Sequence, residues 1–133
     1  MNSLPTAERW LEHWLEQLSH TRKWQAKIEG ALAPHGMTLN ELLVLKTLHS
    51  VPAPGITQVE LVRRLALSPA LMCGLMETLL ARNWIQSTRS QQDRRRVLCC
   101  LSSQGELQLT SVLQSLVGSI EMLPGTMPRE VAA

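Results

Sequence analysis

Apolar residues in the first quarter of the chain recur with helical spacing. Leu11, Trp14, Leu15, Leu18, Ile28 and Leu32 share one face of a segment running from about Thr6 to Leu32, with a polar interruption over Ser19 to Lys23. The pattern predicts one long helix that ends before Pro34-His35-Gly36. A helix that outruns its own core packs on a partner chain, so part of a dimer interface is expected here, anchored by Trp10 and Trp14 four residues apart. Three capping boxes then divide the sequence: Thr38 with Glu41, Thr57 with Glu60, and Ser103 with Glu106. They predict helices starting near 38, 57 and 103. The first carries Leu42, Leu43, Val44, Leu45 and Leu48 and stops before Val51-Pro52-Ala53-Pro54-Gly55; the second is short and ends near Leu65.

Ser68 and Pro69 open another helix, the serine as N-cap and the proline where no N–H is needed. Met72, Leu75, Met76 and Leu79 are its core side, and Asn83 suits the left-handed residue that ends it after Arg82. Only Ala66 and Leu67 separate the two short helices, which is helix-turn-helix spacing. From Trp84 to Ser90 and from Arg96 to Ser102 the period changes, and the polar stretch Gln91-Gln92-Asp93-Arg94-Arg95 lies between. This predicts a β-hairpin with a charged tip. A last helix is expected from Gln104 to Met122, interrupted by Pro124-Gly125, with a loosely held tail over 126–133.

Composition narrows the picture. A chain of 133 residues suits one domain, and 44% hydrophobic against 18% charged residues suits a folded one. With four Trp and no Phe or Tyr, the core must be built from Leu, Val, Ile and Met. No run is long and apolar enough to span a bilayer, and Met1-Asn2-Ser3-Leu4-Pro5 lacks an export pattern. Three cysteines, an odd number with two adjacent, make no disulfide framework; a cytoplasmic protein without membrane attachment is expected. The net charge of +2 conceals a segregation. Arg63, Arg64, Arg82, Arg89, Arg94, Arg95 and Arg96 stand against Glu60, Glu77 and Asp93, leaving the rest of the chain net acidic. Arginine forks suit phosphate.

A helix-turn-helix followed by a hairpin with an arginine-rich tip resembles the MarR family of bacterial regulators. The residues that carry the resemblance run from Leu67-Ser68 through Leu79 and Asp93-Arg94-Arg95 to Leu101-Ser102-Ser103-Gln104-Gly105, which is similar to the family's Leu-Thr-x-x-Gly. Upstream, 32–38 and 55–61 are also similar to family segments. The resemblance implies a mainly α fold with a small β-hairpin: a single winged helix-turn-helix domain over 1–133. Residues 37–103 would form the DNA-binding winged helix, and 1–36 with 104–133 the dimerisation helices. It implies a homodimeric transcriptional regulator on a pseudo-palindromic operator in double-stranded DNA, a repressor released by a small-molecule effector. DNA contacts would come from Thr57, Gln58, Ser68, Pro69, Ala70, Leu71, Cys73, Gly74, Arg89, Arg94, Arg95 and Arg96. Asp93, the single Asp of the chain, would brace Arg95. Trp10, Leu11, Trp14 and Leu18 would lie in the dimer interface, and His13, Trp14, Trp24 and His49 would line an effector pocket between the dimerisation helices and the winged domain.

The sequence departs from the family in three places. Gly74 stands where an arginine is common, so bidentate guanine reading is absent there. Ala70 and Leu71 suit thymine methyl groups, yet the helix offers few hydrogen bonds to base edges. Ser87 replaces an arginine before the hairpin tip, with Arg89 as a substitute. The sequence ends at Ala133, short of a further dimerisation helix, which places more of the expected dimer on the first one. Two alternatives therefore stand beside a DNA-binding regulator. One is a winged-helix protein-interaction module that has lost base reading; the other is a thiol-based redox regulator centred on Cys73. Cys99 and Cys100 point to opposite faces of a strand, and His13, His20, His35 and His49 form no i, i+4 pair, so neither metal nor cofactor is expected. No nucleophile–base arrangement is legible, and no enzymatic activity is expected.

Overall fold

A computed structural model describes residues 3–121. Its order is α1 (Ser3–Leu32), a 3-10 turn (Ala33–His35), α2 (Leu39–His49), α3 (Gln58–Leu65), α4 (Pro69–Ala81), β1 (Ile85–Arg89), β2 (Val97–Leu101) and α5 (Ser103–Glu121). The architecture is mainly helical with one antiparallel hairpin, as the pattern predicted. The start of α1 lies three residues before the expected Thr6, because Pro5 falls in the first turn, where a missing N–H is no loss. Gly36, at φ 64°, reverses the chain after the 3-10 turn with its N–H on the Ala33 carbonyl. The expected end at Met122 and the residues beyond it lie outside the described residues.

The three expected caps have different outcomes. At Thr38 both halves of the box form: the Glu41 N–H donates to Thr38 Oγ1 (3.2 Å) and the Thr38 N–H to Glu41 Oε1 (2.9 Å). At Thr57 only the first half forms, since the Glu60 carboxylate turns one turn onward to Arg63 and Arg64. At the third position the expected Ser103 cap is corrected to Ser102. The Glu106 N–H reaches the Ser102 carbonyl (2.9 Å) and the Gly105 N–H reaches Ser102 Oγ (3.0 Å). Burial decides between the two serines: the Ser102 hydroxyl also donates to the Asn83 carbonyl beneath the hairpin, whereas Ser103 is exposed. Position three after the cap is then Gly105, where any Cβ would strike the Trp84 carbonyl. The fold needs a glycine there.

β1 and β2 pair from Ile85 with Leu101 to Arg89 with Val97. Ile56 adds a bridge to Cys99, exchanging both backbone hydrogen bonds (3.1 and 2.7 Å) and tying the α2–α3 connection to the hairpin. Gly55, at φ 115°, lets that approach happen, because a Cβ would meet the Cys99 carbonyl. The core beneath is aliphatic, as composition required. Leu32, Val44, Leu45, Leu48, Leu61, Met72, Leu79, Ile85, Leu109 and Val112 are its most buried members. Among the described residues, no single helix is long and apolar enough to cross a membrane.

Candidate nucleic-acid interface

The path turns by 118° between α3 and α4, through Ala66 in the left-handed region at φ 53°. Ser68 caps α4 by accepting the Leu71 N–H (3.1 Å), and Pro69 takes the first turn. Met72, Leu75, Met76 and Leu79 bury one side against the core. Pro69, Ala70, Leu71, Cys73, Gly74, Glu77 and Thr78 are therefore exposed on the other. A Cβ at Gly74 would meet nothing within 4 Å, so packing does not demand that glycine. Two polar groups on this face are already engaged: Thr78 Oγ1 donates to the Gly74 carbonyl (3.0 Å), and Gln58 Nε2, from the start of α3, donates to Cys73 Sγ (3.2 Å). Thr57 is engaged as the α3 cap.

The hairpin tip is held by its own side chains. Ser90 Oγ accepts the Gln92 and Asp93 N–H groups, and Asp93 Oδ1 accepts the Arg95 N–H (3.1 Å). The same carboxylate lies 3.5 Å from Arg95 Nε, so Asp93 stands where a brace for Arg95 was expected. The Arg95 side chain is nonetheless 95% exposed. Arg89 Nη1 donates to the Arg94 carbonyl (2.9 Å), which engages it within the tip. Among the described residues, neither Arg94 nor Arg96 forms a salt bridge within 4 Å, and both are exposed. On α3 the Glu60 carboxyl is held below its ordinary value, first by the hydrogen bond from Arg63 and then by that from Arg64. Burial, and next to it the neighbouring Cys100, push the Cys99 thiol upward, which disfavours its reactive thiolate.

One cluster was not legible beforehand. Glu41 is only 3% exposed, and its second carboxylate oxygen accepts from Arg82 Nη1 at 3.0 Å. The same nitrogen donates to the Gly36 carbonyl (2.8 Å), and the guanidinium lies over the Trp84 ring at 4.9 Å. Arg82 closes α4, so this cluster fastens α4 to the α1–α2 junction. A groove of about 490 Å3, lined by Thr38, Glu41, Leu71, Gly74, Thr78 and Arg82, runs beside it.

The residues expected at a dimer interface form an exposed stripe on α1. Trp10 and Trp14 are 63% and 57% exposed, their rings 5.9 Å apart and tilted by 44°, with Leu11 and Leu18 also exposed. None of them belongs to the protomer core. His13 shares a groove of about 410 Å3 with Thr6, Arg9, Trp10 and Trp14. The other residues expected around an effector are elsewhere: Trp24 is half-buried about 16 Å further along α1 by helical rise, and His49 Nδ1 faces Glu106 Oε1 at 3.9 Å. Within the protomer His13, Trp24 and His49 do not converge on one cavity. Among the described residues, no three of His, Cys, Asp and Glu gather to hold a metal ion.

Two helices joined through a sharp turn, with a two-stranded hairpin behind the second, define a winged helix-turn-helix protein. Residues 35–96 match the family model described as MarR family. No curated protein matches the sequence significantly. Among solved structures, the apo form of wild-type MarR from E. coli superposes with a TM-score of 0.75 at 22% identity, over 87% of this chain and 86% of that one. CouR from Rhodococcus jostii RHA1, bound to p-coumaroyl-CoA, gives 0.72 at 22% identity over 87% and 81%. A MepR mutant from S. aureus, bound to an oligodeoxyribonucleotide, gives 0.68 at 19% identity over 92% and 87%. At these identities the likeness establishes the fold alone.

Proposed function

We propose that the protein is a homodimeric transcriptional regulator that binds a pseudo-palindromic operator in the cytoplasm and represses until a small-molecule effector releases it. It acts by binding, not by catalysis. The observation that carries this reading is the arginine tip. Arg95 is oriented by Asp93 yet almost wholly exposed, while Arg94 and Arg96 have no acidic partner among the described residues. Cations held outward on a hairpin behind an uncovered helix suit phosphates and a narrow minor groove. Thr57, Gln58, Ser68, Pro69, Ala70, Leu71, Cys73, Gly74, Arg89, Arg94, Arg95 and Arg96 are assigned to the DNA face.

The apolar stripe of Trp10, Leu11, Trp14 and Leu18 supports a second copy as the partner of α1, since aromatic anchors left in water favour association. One structural relative is bound to DNA and another to p-coumaroyl-CoA, which supports both partner classes here. The effector is assigned to His13 and its groove on α1, with Trp24 and His49 joining only if the dimer brings them near. For regulation to follow, the effector must bind the two dimer states with different affinity.

The test is binding to mixed genomic duplexes, followed by anisotropy at two salt concentrations, for the native protein and Arg95→Ala. Tight binding of a subset, with a salt slope flattened by about one phosphate contact in the variant, is the expected result. Weak binding alike for every fragment and indifferent to Arg95 would sink it. The exposed Leu71 supports a second reading, a protein-interaction module, and that outcome would favour it.

A further inference from the structure

We infer that α4 reads its half-site through thymine methyl groups packed against Ala70 and Leu71, rather than through hydrogen bonds to base edges. The inference rests on the DNA-binding reading above and adds to it which base is recognised and by what force.

Base contact falls to the first turns of a recognition helix. In those turns the hydrogen-bonding side chain is Ser68, and its oxygen is held by the Leu71 N–H as the helix cap. The next polar atom, Cys73 Sγ, is a weak donor and already accepts from Gln58. Thr78 directs its hydroxyl back to the Gly74 carbonyl, and Glu77 lies two turns in, where a carboxylate is repelled by phosphate. What remains outward is apolar. Leu71 is 42% exposed although the core lies one residue away, and Ala70 is exposed beside it. Gly74, one turn after Ala70, has no side chain and open space above it, so the helix backbone can sink towards the bases.

The major groove displays a single apolar group, the C5-methyl of thymine. Charge complementarity supports DNA as the occupant of this face. The elements on either side of α4 in the chain carry cations. Arg94 to Arg96 are exposed on the hairpin, and Arg63 and Arg64 on α3 share the single Glu60 carboxylate and so keep a net positive charge. This suits phosphate backbones flanking a row of methyl groups. A purely apolar peptide would have no use for them.

The experiment starts from duplexes enriched by the full-length protein from a random-sequence library. These are resynthesised with deoxyuridine for thymidine, which removes only the methyl. Each contacted thymine should cost about fourfold in affinity, the worth of one buried methyl group, and substitutions outside the half-sites should cost nothing. Leu71→Ala, at an exposed position that leaves the core intact, should lose most of the discrimination while keeping the native salt slope. Equal affinity for thymine and uracil duplexes would overturn the inference and leave the DNA reading standing. So would a Leu71→Ala variant that discriminates as well as the native protein. Failure to enrich any duplex would overturn the DNA reading itself and assign the apolar face to a protein partner.

Discussion

α1 and α2 are both rich in leucine, yet they treat it in opposite ways. Of the thirty residues of α1 only Leu32 is buried, whereas α2 buries five of its eleven. Helix propensity alone holds short helices poorly in water; tertiary packing supplies most helical stability in proteins. α2 obtains that packing inside the protomer. α1 lacks it over most of its length, so its Trp10–Trp14 end is the region that a partner would stabilise. A leucine stripe therefore reports that a face wants cover, and not from which chain the cover comes.

That contrast can be broken most severely from the α2 side. Leu45→Ala should cost about 3–4 kcal/mol through lost transfer and a cavity in a fully buried site, read as a lower urea midpoint. Arg82→Ala should cost about 2–3 kcal/mol, because it leaves the Glu41 carboxylate buried with only the Thr38 N–H; the half-exposed arginine keeps the value below that of a fully buried pair. Trp14→Ala should leave the unfolding of dilute protomer unchanged and weaken self-association by about 2 kcal/mol, as sedimentation equilibrium would report. If that variant instead unfolds the dilute protein, α1 is stabilised within the protomer and the contrast fails.

Smaller effects sharpen the comparison inside the winged segment. Ala66→Gly should raise stability by about 0.5–1 kcal/mol by relieving a left-handed alanine between α3 and α4, visible as a modest rise in Tm. The smallest effect is electrostatic. Glu60 has a lowered carboxyl pKa when folded, so its contribution is present above the ordinary carboxylate value and is lost as pH falls through the lowered one. Glu60→Gln should slightly lower stability at neutral pH and flatten the acid limb of the profile, the difference from the native protein vanishing as pH falls through the lowered value; a difference that persists unchanged in acid would contradict that origin.

Local chemistry was legible in the sequence, and distant pairing was not. Thr38 with Glu41, Ser68 with Pro69, and Asn83 at φ 61° each follow from contacts within a few residues, and each formed as expected. The hairpin ends fell within a residue of expectation because the change of period is also local. The choice of Ser102 over Ser103 depends on the Asn83 carbonyl, nineteen residues away, and no spacing rule reaches that far. The Glu41–Arg82 bond spans forty-one residues, and its visible signal, the capping box, accounted for only one carboxylate oxygen. At the candidate site, the polar tip and the apolar α4 face were both legible. That Thr78 and Gln58 are engaged within the protein was not, because hydroxyl and amide partners depend on packing.

The great length of α1 has a mechanical consequence. Thirty residues extend about 45 Å, so a pivot of about 5° at its buried end sweeps the free end through about 4 Å. Run in reverse, the leverage acts as a reduction gear. A displacement of a few ångströms at the Trp10–Trp14 end becomes a rotation of a few degrees beside Gly36, the residue whose carbonyl Arg82 holds. A coarse displacement at one end of α1 would thus reach the Arg82 end of α4 as a fine adjustment of angle.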